Sequence, residues 1–279
     1  MQQNSRIALG TVQFGLDYGI SNKEGKPTLN EVKSILDFAG SKGVTLLDTA
    51  NAYGEAEEVI GRLNLNRFDV VTKFLPESQN GTIEKQFNES LRKLNTECVY
   101  GLIAHRPLDV VNNPIIWDKM NSLKDRSKVI KIGFSFNTPE EYRDVVEKSF
   151  KPDLVQIPFN YFDNRFEEII DELKSKDCEI HVRSSFLQGL FFMDVNELPI
   201  FFTEVKPIIQ GLQDSYREAL ASGLLKYVLG NQNIDKLVVG IQNLKQLEQI
   251  FQTLDKAPIL KKLNTHIDSN ILQPSLWPN

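Results

Sequence analysis

Asp48, Tyr53, Lys73 and His105 follow one another through the first half of the chain, each at or just after a short apolar run. A phenol holds its proton at neutral pH, and a neighbouring ammonium group eases its release. Tyr53 is therefore a candidate general acid toward a carbonyl oxygen, with Lys73 supplying the field. Asp48 would answer the charge of Lys73, because an unpaired charge at the end of an apolar strand is costly. His105 would orient the carbonyl by donating a hydrogen bond. Taken singly, each has a plainer role: a capping aspartate, a solvent-facing lysine, a packing tyrosine, a structural histidine. No metal is expected. Cys98 and Cys178 have no CxxC or His/Cys cluster beside them, and a reduced compartment suits them.

These groups meet only if a scaffold gathers the ends of the segments that carry them. Short runs rich in β-branched residues alternate with stretches of helical period, which is the pattern of a parallel sheet with crossover helices. Eight of each are expected, with strands at 7–11, 45–48, 69–73, 100–105, 130–134, 154–158, 179–183 and 237–241. Start signals precede several helices: Asn30 before Glu31, Thr82 before Ile83, and Thr138 as N-cap with Pro139 in the first turn. Val32, Ile35, Leu36 and Ala39 form one apolar stripe; Ile83, Phe87, Ser90, Leu91 and Leu94 form another.

An open doubly wound sheet would carry a GxGxxG turn and a helix directly after the first strand. The chain instead has Gly10-Thr11-Val12-Gln13-Phe14-Gly15, with the first helix expected some way on, near Glu31. The expected fold is α/β, a single-domain (β/α)8 TIM barrel over residues 1–279. A polar insertion at 15–28 and an apolar one at 187–203 should lie on the C-terminal rim, where barrel enzymes build pockets. The tail after Lys262 reads as extended, either a loose end or a flap.

Across 279 residues, 41% are hydrophobic and 25% charged, enough for a full core. A net charge of −5 argues against nucleic acid or an anionic membrane as the main partner. The start of the chain, Met1 to Arg6, lacks an apolar signal region, and nowhere do about 18 apolar residues run together. A cytoplasmic location is expected, with no membrane partner; oligomeric state is not legible.

The segment from Leu47 to Gly61 (LDTANAYGEAEEVIG) resembles the DTAxxYGxxExxIG signature of the aldo-keto reductase superfamily. Val71-Thr72-Lys73 and Leu102 to Pro107 resemble its lysine strand and LxHxP segment, and the likeness runs from Ala8 to Leu247. The resemblance implies reduction of an aldehyde or ketone by NADPH or NADH, with Tyr53 as acid and Asp48, Lys73 and His105 in the roles above. It further implies cofactor contacts at Thr11, Asp48, Ser135, Gln156, Arg183, Ser184, Gly240, Gln242 and Gln246. Gln156 would meet the nicotinamide carboxamide.

Two places depart from the family pattern. Arg183-Ser184-Ser185-Phe186-Leu187 stands where many members have Tyr-Ser-Pro-Leu, so the surface stacking on the nicotinamide is a guanidinium or another group. In the stretch Val239 to Ile250, glutamines replace the arginine that usually wraps the adenosine 2′-phosphate, and Lys245 is its one cation. A lysine discriminates phosphate less well than a planar guanidinium. Use of NADH beside NADPH, or weak NADPH binding, is expected. Arg106, Arg183 and Lys23 read either as ordinary surface charge or as a site for an acidic substrate, such as a sugar, sugar acid or nucleotide-linked sugar. The subgroup resembles bacterial reductases of unassigned substrate. Two other readings remain open: a regulatory barrel that binds cofactor without turnover, and an aldolase using Lys73 as a Schiff base.

Overall fold

In the computed structural model, which describes residues 3–63 and 65–278, eight parallel strands pair in chain order and the last returns to the first, closing a barrel. They are β1 (Ile7–Gly10), β2 (Leu46–Asp48), β3 (Asp69–Phe74), β4 (Val99–Ala104), β5 (Val129–Ser135), β6 (Leu154–Pro158), β7 (Glu179–Arg183) and β8 (Lys236–Gly240). Closure is direct: Ile7, Ala8, Leu9 and Gly10 pair with Leu237, Val238, Val239 and Gly240. The expected single-domain (β/α)8 barrel is the observed one. Met1 and Gln2, part of the stretch read for a signal, lie outside the described residues.

Inside the barrel Ala8, Leu46, Val71, Ile103, Leu154 and Val238 pack on one another. A larger apolar layer lies between the strands and the surrounding helices. Helix Leu29–Ser41 shows how the layer forms: Val32, Ile35, Leu36 and Ala39 are all buried, and each large aliphatic side chain so placed contributes roughly 1.5–3 kcal/mol. Its cap is Thr28, whose hydroxyl accepts from the Glu31 N–H, not Asn30 as the sequence suggested. Thr28 lies three residues before a free N–H with an extended backbone, the geometry a capping hydroxyl needs. Thr82 and Thr138 cap their helices as expected.

Three details differ from the expected repeat. A one-turn helix, Val12–Gly15, follows β1 directly, and several crossovers hold two helices, as with Pro107–Asn112 and Ile115–Asp125. The tail is neither loose nor fully extended. Ile267, Ile271 and Leu272 are buried in a second apolar cluster with Leu187, Leu190, Phe191 and Phe202 of the 187–203 stretch, and the Trp277 indole N–H donates to the Ile271 carbonyl at 2.9 Å. That apolar stretch was conspicuous in the sequence because it has its own core to fill. Among the described residues no helix is long and apolar enough to cross a membrane.

Candidate active site

Asp48 ends β2 opposite Val71 of β3, which sets Lys73 two residues nearer the C-terminal mouth. From there the lysine reaches back. Its Nζ donates to Asp48 Oδ1 and Oδ2 at 2.8 and 2.7 Å and to the Thr49 carbonyl at 2.9 Å. The Tyr53 hydroxyl lies 3.4 Å from the same nitrogen. With Lys73 only 1% and Asp48 3% exposed, neither charge is tolerable without the other. Burial is the largest single influence on Lys73 and opposes its charge, but the Asp48 carboxylate and the Tyr53 oxygen together outweigh it and hold its pKa above the ordinary lysine value. The amine stays an ammonium.

Tyr53 is carried on a turn closed by its own N–H to the Ala50 carbonyl at 3.0 Å. Gly54 follows with φ +58, and a Cβ there would lie 2.6 Å from the Gly15 carbonyl oxygen. The tyrosine turn thus packs backbone to backbone on the segment after β1, which only glycine permits. Helix Ala56–Gly61 is fixed to β3 by the Thr72 hydroxyl, which donates to buried Glu57 Oε1 at 2.6 Å. These ties explain why the 47–61 signature has the residues it has: they seat the phenol beside Lys73.

His105 follows β4 and sits edge-on to Tyr53, ring centroids 6.1 Å apart. Burial, then the charges of Lys73, Arg183 and Arg106, push its pKa down to about 3. It is therefore neutral at physiological pH. Its Nδ1 is buried with no partner, and a lone pair is less costly there than an N–H, so the proton belongs on Nε2. Gln156 of β6 donates from Nε2 to Asp48 Oδ1 at 2.6 Å, while its Oε1 is buried and unpaired.

A cleft of about 820 Å3 opens over this group at the C-terminal mouth. Asp48, Tyr53, His105, Arg183, Ser184, Gly240, Gln242 and Gln246 line it, together with Arg106. Lys73, Thr11, Ser135 and Gln156 are buried and lie behind its wall; Lys23 and Lys245 do not face it. Thr11 bonds the Asp48 carbonyl through Oγ1 at 3.1 Å. Arg183 reaches across β6 to the end of β5, donating to the Phe136 carbonyl at 3.0 Å and Asn137 Oδ1 at 2.8 Å.

The sequence reading missed several lining residues. Tyr18 and Gln188 bond across the mouth, amide to phenol, at 3.1 Å, joining the two insertions; their rim position was expected but not their contact. Gln13, directly after β1, lines the cleft with Oε1 buried and unpaired. Arg217, Glu218 and Leu272 to Ser275 also face it. No local pattern marks Arg217 or the tail.

A sequence model described as the Aldo/keto reductase family matches residues 6–271. None of the curated proteins searched matches the chain. Among solved structures, a Pseudomonas aeruginosa protein described as an aldo-keto reductase is similar over 90% of this chain and 90% of its own, with a TM-score of 0.66 and 22% identity. The holo form of aldo-keto reductase AKR11C1 from Bacillus halodurans is similar over 96% of this chain and 90% of its own, with a TM-score of 0.71 and 18% identity. At these identities the structural likeness speaks for the fold.

Proposed function

The chain belongs to the aldo/keto reductase family and is a nicotinamide-dependent carbonyl oxidoreductase, and from that premise we propose that Tyr53 is its general acid. The carrying observation is the chain of contacts from Asp48 through Lys73 to the Tyr53 hydroxyl, with neutral His105 beside it. The nicotinamide, when bound, supplies the hydride. As negative charge develops on the carbonyl oxygen, Tyr53 gives up its proton and His105 Nε2 donates a hydrogen bond. Lys73, 3.4 Å away, stabilises the phenolate that remains, and Asp48 keeps the ammonium from turning elsewhere. The phenolate then recovers a proton from solvent in the open cleft. Lys73 held as an ammonium runs against the aldolase reading, since a Schiff-base lysine must be neutral to attack.

Unmet polar groups mark where a dinucleotide fits: Gln156 Oε1, Gln13 Oε1 and Ser185 Oγ are all buried without partners. Gln156, buried just behind the wall with its Oε1 unmet, is the residue for the carboxamide; Ser184 and Arg183 shape the surface around the ring, with Ser135 and Thr11 backing it. Gly240, Gln242 and Gln246 would carry the adenosine end, for NADPH or NADH. A Cβ at Gly240 would come within 2.7 Å of the Gln13 amide, so a larger residue there would have to displace the Gln13 side chain. The Arg106 side chain has no hydrogen-bond or ion-pair partner among the described residues, and the residue lines the cleft beside His105. It favours a carbonyl substrate with an acidic group, such as a sugar acid. Loss of 340 nm absorbance with a panel of neutral and acidic aldehydes, using each cofactor, tests the reading. Cofactor binding without turnover on any carbonyl compound would point to a regulatory barrel instead.

A further inference from the structure

The chain has no arginine in the element after β8, so a 2′-phosphate would need a cation from elsewhere. Gln242 and Gln246 do not provide substitutes. Gln246 Oε1 accepts from the Gln242 N–H at 3.0 Å and its Nε2 donates to Gln242 Oε1 at 3.1 Å, so the two side chains answer one another. Lys245 does not face the cleft. From the helix Leu244–Thr253 that follows β8, the Gln249 side chain donates to the Glu218 carbonyl at 3.3 Å, which brings the 217–218 segment against the same part of the wall. Arg217 and Glu218 both line the cleft there. Among the described residues neither side chain has a hydrogen-bond or ion-pair partner, although they are adjacent and opposite in charge.

Arg217 also has φ 45 and ψ −124, a backbone region that glycine favours. Arg217 is exposed, its guanidinium free to meet a ligand, and a non-glycine residue held in a strained conformation on the wall of a ligand cleft calls for a reason beyond folding. We propose that Arg217 and Glu218 together set the cofactor preference of this reductase, the guanidinium taking a 2′-phosphate and the carboxylate a free 2′-hydroxyl. The inference rests on the reading that the adenosine end lies along Gly240, Gln242 and Gln246. It replaces Lys245, the cation the sequence offered, with one from the crossover between β7 and β8. Both cofactors are accepted because each has its own partner in the pair.

The test is fluorescence titration of the full chain with NADPH and NADH. Arg217→Gln should weaken NADPH about tenfold, the loss of a charge-assisted bond, and leave NADH within about twofold. Glu218→Gln should shift the ratio the other way, tightening NADPH and weakening NADH. Arg217→Gly separates fold from binding: it relieves the backbone, so thermal stability should hold or rise while NADPH affinity falls as in Arg217→Gln. If the Arg217 variants alter both cofactors equally, or neither, the inference is overturned while the reductase reading stands. If the unaltered protein binds neither cofactor, the reductase reading itself fails.

Discussion

At the C-terminal end of the barrel Lys73 answers Asp48, yet Gln13 Oε1, Thr49 Oγ1, His105 Nδ1, Gln156 Oε1 and Ser185 Oγ are buried around them without partners. At the N-terminal end Glu179 accepts from the Tyr100 hydroxyl at 2.6 Å, meets His181 Nε2 at 2.6 Å and pairs with Lys131. There His181 Nδ1 is the one unmet side-chain atom among the described residues of that cluster. A cavity of about 640 Å3 opens at this end too, lined by Tyr100, Glu179 and Lys236, so cavity size does not separate the two. Unsatisfied polar atoms do. A buried network that meets its own needs secures the barrel, whereas one that leaves donors and acceptors unmet is arranged for something that arrives later.

Four experiments press on that contrast. Lys73→Met strikes both sides of it, because the lysine is structural and, in our reading, catalytic. It should cost about 3–5 kcal/mol by urea denaturation through the stranded Asp48 carboxylate, and abolish measurable reduction. A stable, active variant would dissolve the distinction. Tyr53→Phe should lower kcat by about 10²–10⁴ with cofactor affinity and melting temperature unchanged. Rates within a few-fold of the unaltered protein would mean another group delivers the proton.

Glu179→Ala should do the reverse, lowering stability by about 3–5 kcal/mol while kcat stays within a few-fold. Burial alone would raise the Glu179 pKa, but its bonds to His181, Lys131 and Tyr100 outweigh this and hold it below the ordinary glutamate value near 4.5. The stability it contributes is thus complete above about pH 4.5 and lost as the pH falls further. Denaturation midpoints followed from about pH 5 down to about pH 2, roughly the range in which this loss sets in, should show a shallower acid loss in the variant; parallel curves would place the acid sensitivity elsewhere. The smallest effect concerns His105. Since its pKa is pushed down to about 3, kcat/KM should show no inflection from this ring between about pH 5 and 8. A step near neutrality that vanishes in His105→Gln would contradict that.

The residues around Glu179 were legible only as strand positions: Tyr100, Lys131 and Glu179 read as members of apolar runs, and their convergence depends on register between β4, β5 and β7. The Asp48 group was legible for a different reason. Asp48, Tyr53, Lys73 and His105 sit at strand ends or in the turns just beyond, and a barrel with in-order strands must bring neighbouring ends together. The helix caps at Thr82 and Thr138 were equally local. Thr28 was misjudged by two residues because Asn30 offers the same capping chemistry, and only backbone geometry chooses between them.

The order of strands, their limits within a residue or two and the identity of the candidate acid followed from the sequence by itself, since each depends on periodicity and neighbours a few residues away. Tertiary structure alone decided that Lys245 faces off the cleft while Arg217 and Glu218 face into it, that Tyr18 meets Gln188, and that the tail past Lys262 packs beside the mouth. Those contacts join loops from distant crossovers. Their energetics lie in the fit of irregular backbone against irregular backbone, which no repeat of apolar and polar residues records.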